Sequence, residues 1–291
     1  MSKLRAWLEL SRGANLPTVW SNVLMGWLIA LAFGGTVCVQ KLGWVLLSAS
    51  LLYVAGMFLN DAADAEWDRK HFPDRPIPSG KINLKHVQQA GLLLLSLGLS
   101  AYLGWLSFGL TVFILAYTRW HKTQPVFSPW LMGICRAFLP AMGYFAVCVQ
   151  DDVRGRQLLV AYQVALLFST ASISLLARHE ATGGRPSSFV SWFACTAPFL
   201  CFLGVPASEV ESSAVLVAAL VAVSIPLTHY FIPDVGTRVT ERIAGLVLLD
   251  YVVWRQIAPG FVKEDALSSA GVVLLLLYGT ALGLRRLMPT T

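Results

Sequence analysis

Between two apolar runs of this 291-residue chain lies a polar stretch, Asn60 to Gly80, that carries the residues best suited to chemistry. Asp61, Asp64 and Asp68 are spaced i, i+3, i+7. On a helix that spacing stacks the carboxylates on one face over two turns, where they repel one another unless cations lie between them. Hard oxygen ligands of this kind suit Mg2+, which takes one or two carboxylates together with substrate phosphates. Asn60 adds a neutral oxygen or an orienting amide beside them. The competing reading is a solvated acidic helix end. The run continues straight out of the apolar segment Leu51 to Leu59, so it sits towards a helix C-terminus, where the dipole disfavours anions. A metal–diphosphate site accounts better for that placement. Arg69, Lys70 and Arg75 follow in the same stretch. They can clamp diphosphate oxygens, or they can anchor a cytoplasmic loop.

The elements that position these residues are apolar. The chain is 56% hydrophobic and 13% charged, with a mean hydropathy of +0.64. Soluble chains carry about a quarter charged residues, so the composition indicates an all-α polytopic membrane protein, read as one transmembrane domain over 1–291. Its net charge of +6 fits basic cytoplasmic loops against anionic lipid, and no clustered basic face marks a nucleic-acid partner. The five cysteines lack CxxC spacing and read as small buried residues. No cleavable signal is evident. Spans are expected near 18–33, 42–59, 88–104, 105–118, 129–147, 157–176, 189–204, 212–232 and 268–284. The segment 240–258 contains Asp250 and Arg255 and is expected to be interfacial or re-entrant, because a charge at mid-span is costly. That gives about nine spans, while Arg285-Arg286 favours a tenth. Lys3, Arg5 and Arg12 hold the N-terminus in the cytoplasm, and a bacterial inner membrane is the expected location. The loops 60–86, 119–127 and 177–188 then converge on one cytoplasmic face. Arg136, inside the fifth span, is an expensive charge that can reach a diphosphate or pair with Asp250.

Asn60-Asp61-x-x-Asp64-x-x-x-Asp68, followed by Arg75-Pro76-x-Pro78-x-Gly80, resembles the first aspartate motif of the UbiA superfamily of intramembrane prenyltransferases. The resemblance implies a UbiA-like bundle of about nine helices around a cytoplasm-facing intramembrane cavity, built as a pseudo-repeat of two four-helix bundles. It also implies Mg2+ as cofactor, a polyprenyl diphosphate donor and a hydrophobic or aromatic acceptor. Tyr117-Thr118-Arg119-Trp120-His121-Lys122 resembles the family's Tyr-plus-basic segment, whose Lys helps hold the diphosphate, so Lys122 is either a diphosphate ligand or an interfacial lysine. Tyr117 is either a cavity residue or part of an aromatic belt. In the family arrangement Arg12 and Asn15 face the cavity mouth; Asn15 reads equally well as a helix cap before Pro17.

One departure stands out. The family's second aspartate motif is missing: Thr170 and Ala177 stand where two of its aspartates belong, and only Glu180 and His179 can substitute. Leu176-Ala177-Arg178-x-Glu180 in its place resembles the UbiA-like branch called EboC, and Arg178 joins the diphosphate candidates. The leading expectation is an intramembrane prenyltransferase. A rival is a catalytically degenerate relative that binds or translocates an isoprenoid or other hydrophobic metabolite. A secondary transporter is disfavoured, since broken helices do not recur in matching halves.

Overall fold

The structure, a computed structural model, describes residues 3–147, 152–182, 188–232, 234–261 and 269–287. Among the described residues it is all-helical. A short amphipathic helix α1 (Lys3–Ser11) is followed by α2 (Leu16–Ala32), α3 (Val39–His71), α4 (Leu84–Ala101), α5 (Trp105–Trp120) and α6 (Ser128–Phe145). The second half comprises α7 (Val153–Thr182), α8 (Ser188–Leu200), α9 (Ser212–Phe231), α10 (Val235–Ile257) and α11 (Ala270–Leu287). Among the described residues, α3 and residues 153–178 of α7 are each long and apolar enough to cross a bilayer; 212–228 and 270–285 are shorter apolar helices.

Side chains such as Leu92, Leu93, Phe108, Leu220 and Leu276 are exposed on the outside of the bundle. An apolar exterior of this kind suits lipid rather than water. Inside, one core lies among α2 to α6 and a second among α2 and α6 to α11. The two share α2 and α6, whose backbones meet closely. A Cβ on Gly26 would lie 1.9 Å from the Pro140 carbonyl oxygen, and one on Gly143 would lie 1.9 Å from that of Val23. Only glycine permits that approach, as at small-residue helix crossings in membranes.

Polar contacts mark two opposite faces. On one, Arg12 meets Asp61, His121 meets Asp64, Arg178 donates to the Ser128 hydroxyl, and Arg285 donates to Asn15. The other face joins Arg154 to Glu209 and Gln256 to the backbone of Glu209 and Glu211. Two of the three loops expected to converge therefore meet, at Asp64 and His121, while residues 183–187 of the third lie outside the described residues.

Segment 240–258 corrects the sequence reading. It belongs to α10, a continuous 23-residue helix that runs from the first face to Gln256 on the other. It is packed in the second core rather than lying at an interface or turning back. The mid-span charge is tolerated because Asp250, fully buried, accepts from the Asn22 amide at 2.8 Å and from the Tyr162 hydroxyl. Ten helices, α2 to α11, follow α1 among the described residues, and 240–258 is part of one of them. Arg285, near the end of α11, lies on the first face, donating to Asn15.

Candidate active site

α3 does not stop where its apolar stretch ends. At about 1.5 Å per residue, its 33 residues extend roughly 50 Å, well beyond the ~30 Å hydrocarbon layer of a bilayer. Residues 39–59 suffice to cross, and the same helix then presents the aspartates at the interface. Asp61, Asp64 and Asp68 are 8%, 6% and 2% exposed, so all three point inward. The helix closes with Arg69, Lys70 and His71, cations that complement its C-terminal dipole.

Each carboxylate is met by a cation from a different part of the chain. Arg12 Nη2 lies 3.0 Å from Asp61 Oδ1. Asp64 is held twice, by His121 Nε2 at 2.7 Å and by Lys122 Nζ at 3.3 Å. Arg75 Nη1 donates to both Asp68 oxygens, at 3.0 and 2.9 Å. Local structure explains each reach. Ala6 and Leu10 of α1 pack with Phe58, Ala62 and Ala65 on the back of α3, which brings Arg12 alongside Asp61. Arg12 turns the chain in a left-handed conformation (φ 45°), uncommon outside glycine. Neighbouring Asp61 pushes the Arg12 guanidinium above its ordinary pKa, against the opposing effect of burial. Phe72 ends α3 and the 72–80 turn folds Arg75 back, its guanidinium lying over the Phe72 ring. Lys122 stacks its ammonium 3.8 Å from the Trp67 ring centre, an attractive cation–π contact. His121 Nδ1 faces the Tyr117 carbonyl at 3.1 Å while Nε2 faces Asp64, so both nitrogens face acceptors and both contacts are hydrogen bonds only when each carries a proton.

Beneath this charged roof lies a cavity of about 290 Å3. Arg12, Asn15, Tyr117 and Thr118 line one end, near the aspartates, and Leu52, Met57, Leu110, Ile114 and Leu139 form apolar walls. Arg136 is buried in the same wall, its Nε and Nη2 without hydrogen-bond partners among the described residues. It forms no ion pair with Asp250 among the described residues; Asn22 and Tyr162 both donate to that carboxylate's Oδ1. Thr170 and Ala177, the substituted positions of the second motif, also line the cavity.

Two expected residues are placed away from the cavity. Arg69 and Lys70 are exposed on α3, because one and two residues beyond Asp68 rotate about 100° and 200° away from its face. Arg178 donates to Ser128. Asn15 makes no side-chain cap on α2; its Oδ1 accepts from Arg285 at 2.9 Å. Glu180 and His179 belong to α7, but their side chains lie outside the described residues. Sequence reasoning missed three members of the site. His121 lies 57 residues from Asp64 and Arg285 lies 270 from Asn15, and no local spacing links either pair. Tyr53, a cavity residue, reads in sequence as one more aromatic in a span.

The donor set fits Mg2+. Asp61 and Asp64 supply hard oxygens, and the buried Asn60 Oδ1 has no hydrogen-bond partner among the described residues. No three His, Cys, Asp or Glu side chains converge as a ready-made cage among the described residues. That is no obstacle for an ion that takes one or two carboxylates and completes its octahedron with water and phosphate oxygens.

Known proteins with similar sequences carry related names. The chain is 34% identical over 152 residues to digeranylgeranylglyceryl phosphate synthase of Korarchaeum cryptofilum, a match covering 50% of this chain and 53% of that one. It is 26% identical over 160 residues to protoheme IX farnesyltransferase of Alkalihalophilus pseudofirmus, covering 49% and 51%. The matched stretch thus spans about half the length of these relatives. The fold resembles a solved structure of digeranylgeranylglyceryl phosphate synthase (TM-score 0.61, 21% identity, 89% of this chain and 99% of that one). It equally resembles a UbiA homologue from Aeropyrum pernix K1 (TM-score 0.61, 17% identity, 81% and 96%). Residues 19–244, from the first long helix into α10, match the UbiA prenyltransferase family, and the chain belongs to that family.

Proposed function

We propose that this chain is an intramembrane prenyltransferase that moves a prenyl group from a polyprenyl diphosphate to a hydrophobic acceptor. The carrying observation is the junction of Asp61 and Asp64, with their cationic partners, and the apolar cavity that begins at Arg12 and Tyr117. The names of its relatives, both prenyl-transfer enzymes, support the same reading. As a UbiA family member the protein is integral to the membrane. We place its N-terminus in the cytoplasm of a bacterium and its missing second motif in the EboC-like branch.

The donor's diphosphate sits at the charged roof and its tail in the cavity. Bound Mg2+, held by Asp61 and Asp64 with Asn60 Oδ1, would supply positive charge against the leaving diphosphate. Arg12 and Lys122, now paired with the same carboxylates, can swing to phosphate oxygens once that charge is replaced. The allylic C–O bond breaks with its electron pair leaving on the diphosphate. The acceptor's electron pair forms the new bond to that carbon, and the acceptor then loses a proton. The apolar walls exclude water from the cation, and the Tyr53 and Tyr117 rings can face it.

The test is Mg2+-dependent pyrophosphate release from prenyl diphosphates of several lengths by the purified protein in detergent, with candidate acceptors present. Release is the expected result. Tight diphosphate binding with no release across the series would establish the binding or translocation reading instead.

A further inference from the structure

A second cavity, about 170 Å3, lies between α7, α8, α9, α10 and α11. It touches the first only through shared wall residues, Ile173 of α7 and Leu246 of α10. Arg242 lines it and is only 8% exposed. Its Nε and Nη1 have no hydrogen-bond partner among the described residues, and its Nη2 reaches only the Ile225 carbonyl, at 3.5 Å. A buried guanidinium left so poorly paired is costly, and its planar fork matches a carboxylate or phosphate in shape and charge. No neighbouring hydroxyl oxygen accepts from its Nε or Nη1 among the described residues. Ser172, Ser224 and Thr228 donate their protons to backbone carbonyls at 2.7 Å, which leaves Arg242 as the donor available to an anion. Glu241, the one carboxylate in the wall among the described residues, lies within the field of Arg285. Apart from Ser169 and Tyr278, the rest of the lining, including Ala194, Pro198, Val221 and Leu248, is apolar.

We infer that this second cavity receives the phosphate or carboxylate of an amphipathic second substrate, held by Arg242, with the reactive end directed across Ile173 and Leu246 towards the prenyl donor. The assignment rests on the prenyltransferase reading for the word substrate, and on Arg242 and its cavity for the anion site. It narrows the acceptor to an apolar molecule with an oxyanionic group. The two ligands then enter separate chambers, and the diphosphate at the aspartates does not compete with the acceptor's charge.

Hexyl phosphate, hexanol and inorganic phosphate are the probes, titrated calorimetrically into the full chain in neutral detergent. Hexyl phosphate is expected to bind, hexanol and inorganic phosphate far more weakly. Arg242→Gln should weaken hexyl phosphate at least tenfold, with Arg242→Lys intermediate. Ala194→Phe, which fills the cavity from α8 and leaves the arginine in place, should abolish the same binding. Asp61→Ala should lose geranylgeranyl diphosphate but keep hexyl phosphate. Equal hexyl phosphate affinity in Arg242→Gln and wild type would overturn the site, as would its loss in Asp61→Ala. Inorganic phosphate binding as tightly as hexyl phosphate would overturn the amphipathic ligand. A wild type that holds hexyl phosphate through Arg242 but retains no prenyl diphosphate would remove the prenyltransferase reading and leave the anion site standing.

Discussion

Arg12 Nη2 lies 3.0 Å from Asp61 Oδ1, joining the turn before α2 to the motif on α3 across 49 residues of sequence. The guanidinium is bonded to a carboxylate that we propose holds Mg2+. In Arg12→Ala, Asp61 stays buried without its partner, and removing one member of such a pair costs about 1–3 kcal/mol. Added Mg2+ should replace the lost charge. A thermal scan is expected to show a lower Tm for Arg12→Ala than for wild type, with Mg2+ recovering more of it in the variant. An equal Mg2+ response in both proteins would separate Asp61 from metal binding.

Asp64 offers a graded version of the same experiment. Lys122 is 42% exposed and stacks on Trp67, whereas His121 is 9% exposed. An exposed ion pair contributes about 0–1 kcal/mol, so Lys122→Ala should leave Tm nearly unchanged while weakening geranylgeranyl diphosphate about tenfold. His121→Ala should lower Tm clearly, since it empties a buried position. Unaltered diphosphate affinity in Lys122→Ala would make that lysine an interfacial anchor.

How much of this was legible in sequence follows from distance along the chain. The aspartate stripe and Arg75 lie within one helix and the turn after it, so spacing alone placed them. His121 against Asp64 and Arg285 against Asn15 depend on which helices become neighbours, and nothing local encodes that. α10 was misjudged for the same reason. Asp250 looks prohibitively charged until Asn22 and Tyr162, 228 and 88 residues away, are brought against it. Arg69 and Lys70 failed differently: proximity in sequence to Asp68 put them on the wrong side of the same helix.

Asp250 also serves as a structural control. Asp250→Ala removes the acceptor of the buried Tyr162 hydroxyl and one of the two acceptors of the Asn22 amide, at about 1–3 kcal/mol for a group left unsatisfied. Tm should fall while diphosphate affinity in the folded fraction, measured by calorimetry, stays within twofold. A selective loss of diphosphate binding would instead tie this network to the site.

The number of crossings can be read without any substrate. In a cysteine-free background, single cysteines at positions within 60–86 and 119–127, and one at 286, are expected to react with an impermeant maleimide from the same side. One at 207 should react from the other. Labelling at 286 from the side of 207 would favour nine crossings over ten.

Thr170 and Ala177 line the cavity where the family resemblance places aspartates. Thr170→Asp/Ala177→Asp should therefore add carboxylates to the chamber itself, and Mg2+-dependent pyrophosphate release is expected to rise several-fold at limiting Mg2+. A folded double variant that binds diphosphate and still releases nothing would argue for a carrier.

The central claim is that Asp61 and Asp64 hold Mg2+ together with a diphosphate, and its most direct measurement is geranylgeranyl diphosphate binding by calorimetry with Mg2+ or with EDTA. Wild-type protein should bind at least tenfold more tightly with Mg2+, and Asp61→Ala and Asp64→Ala should lose that enhancement while remaining monodisperse in detergent. Identical Mg2+ enhancement in wild type and both variants would contradict the account.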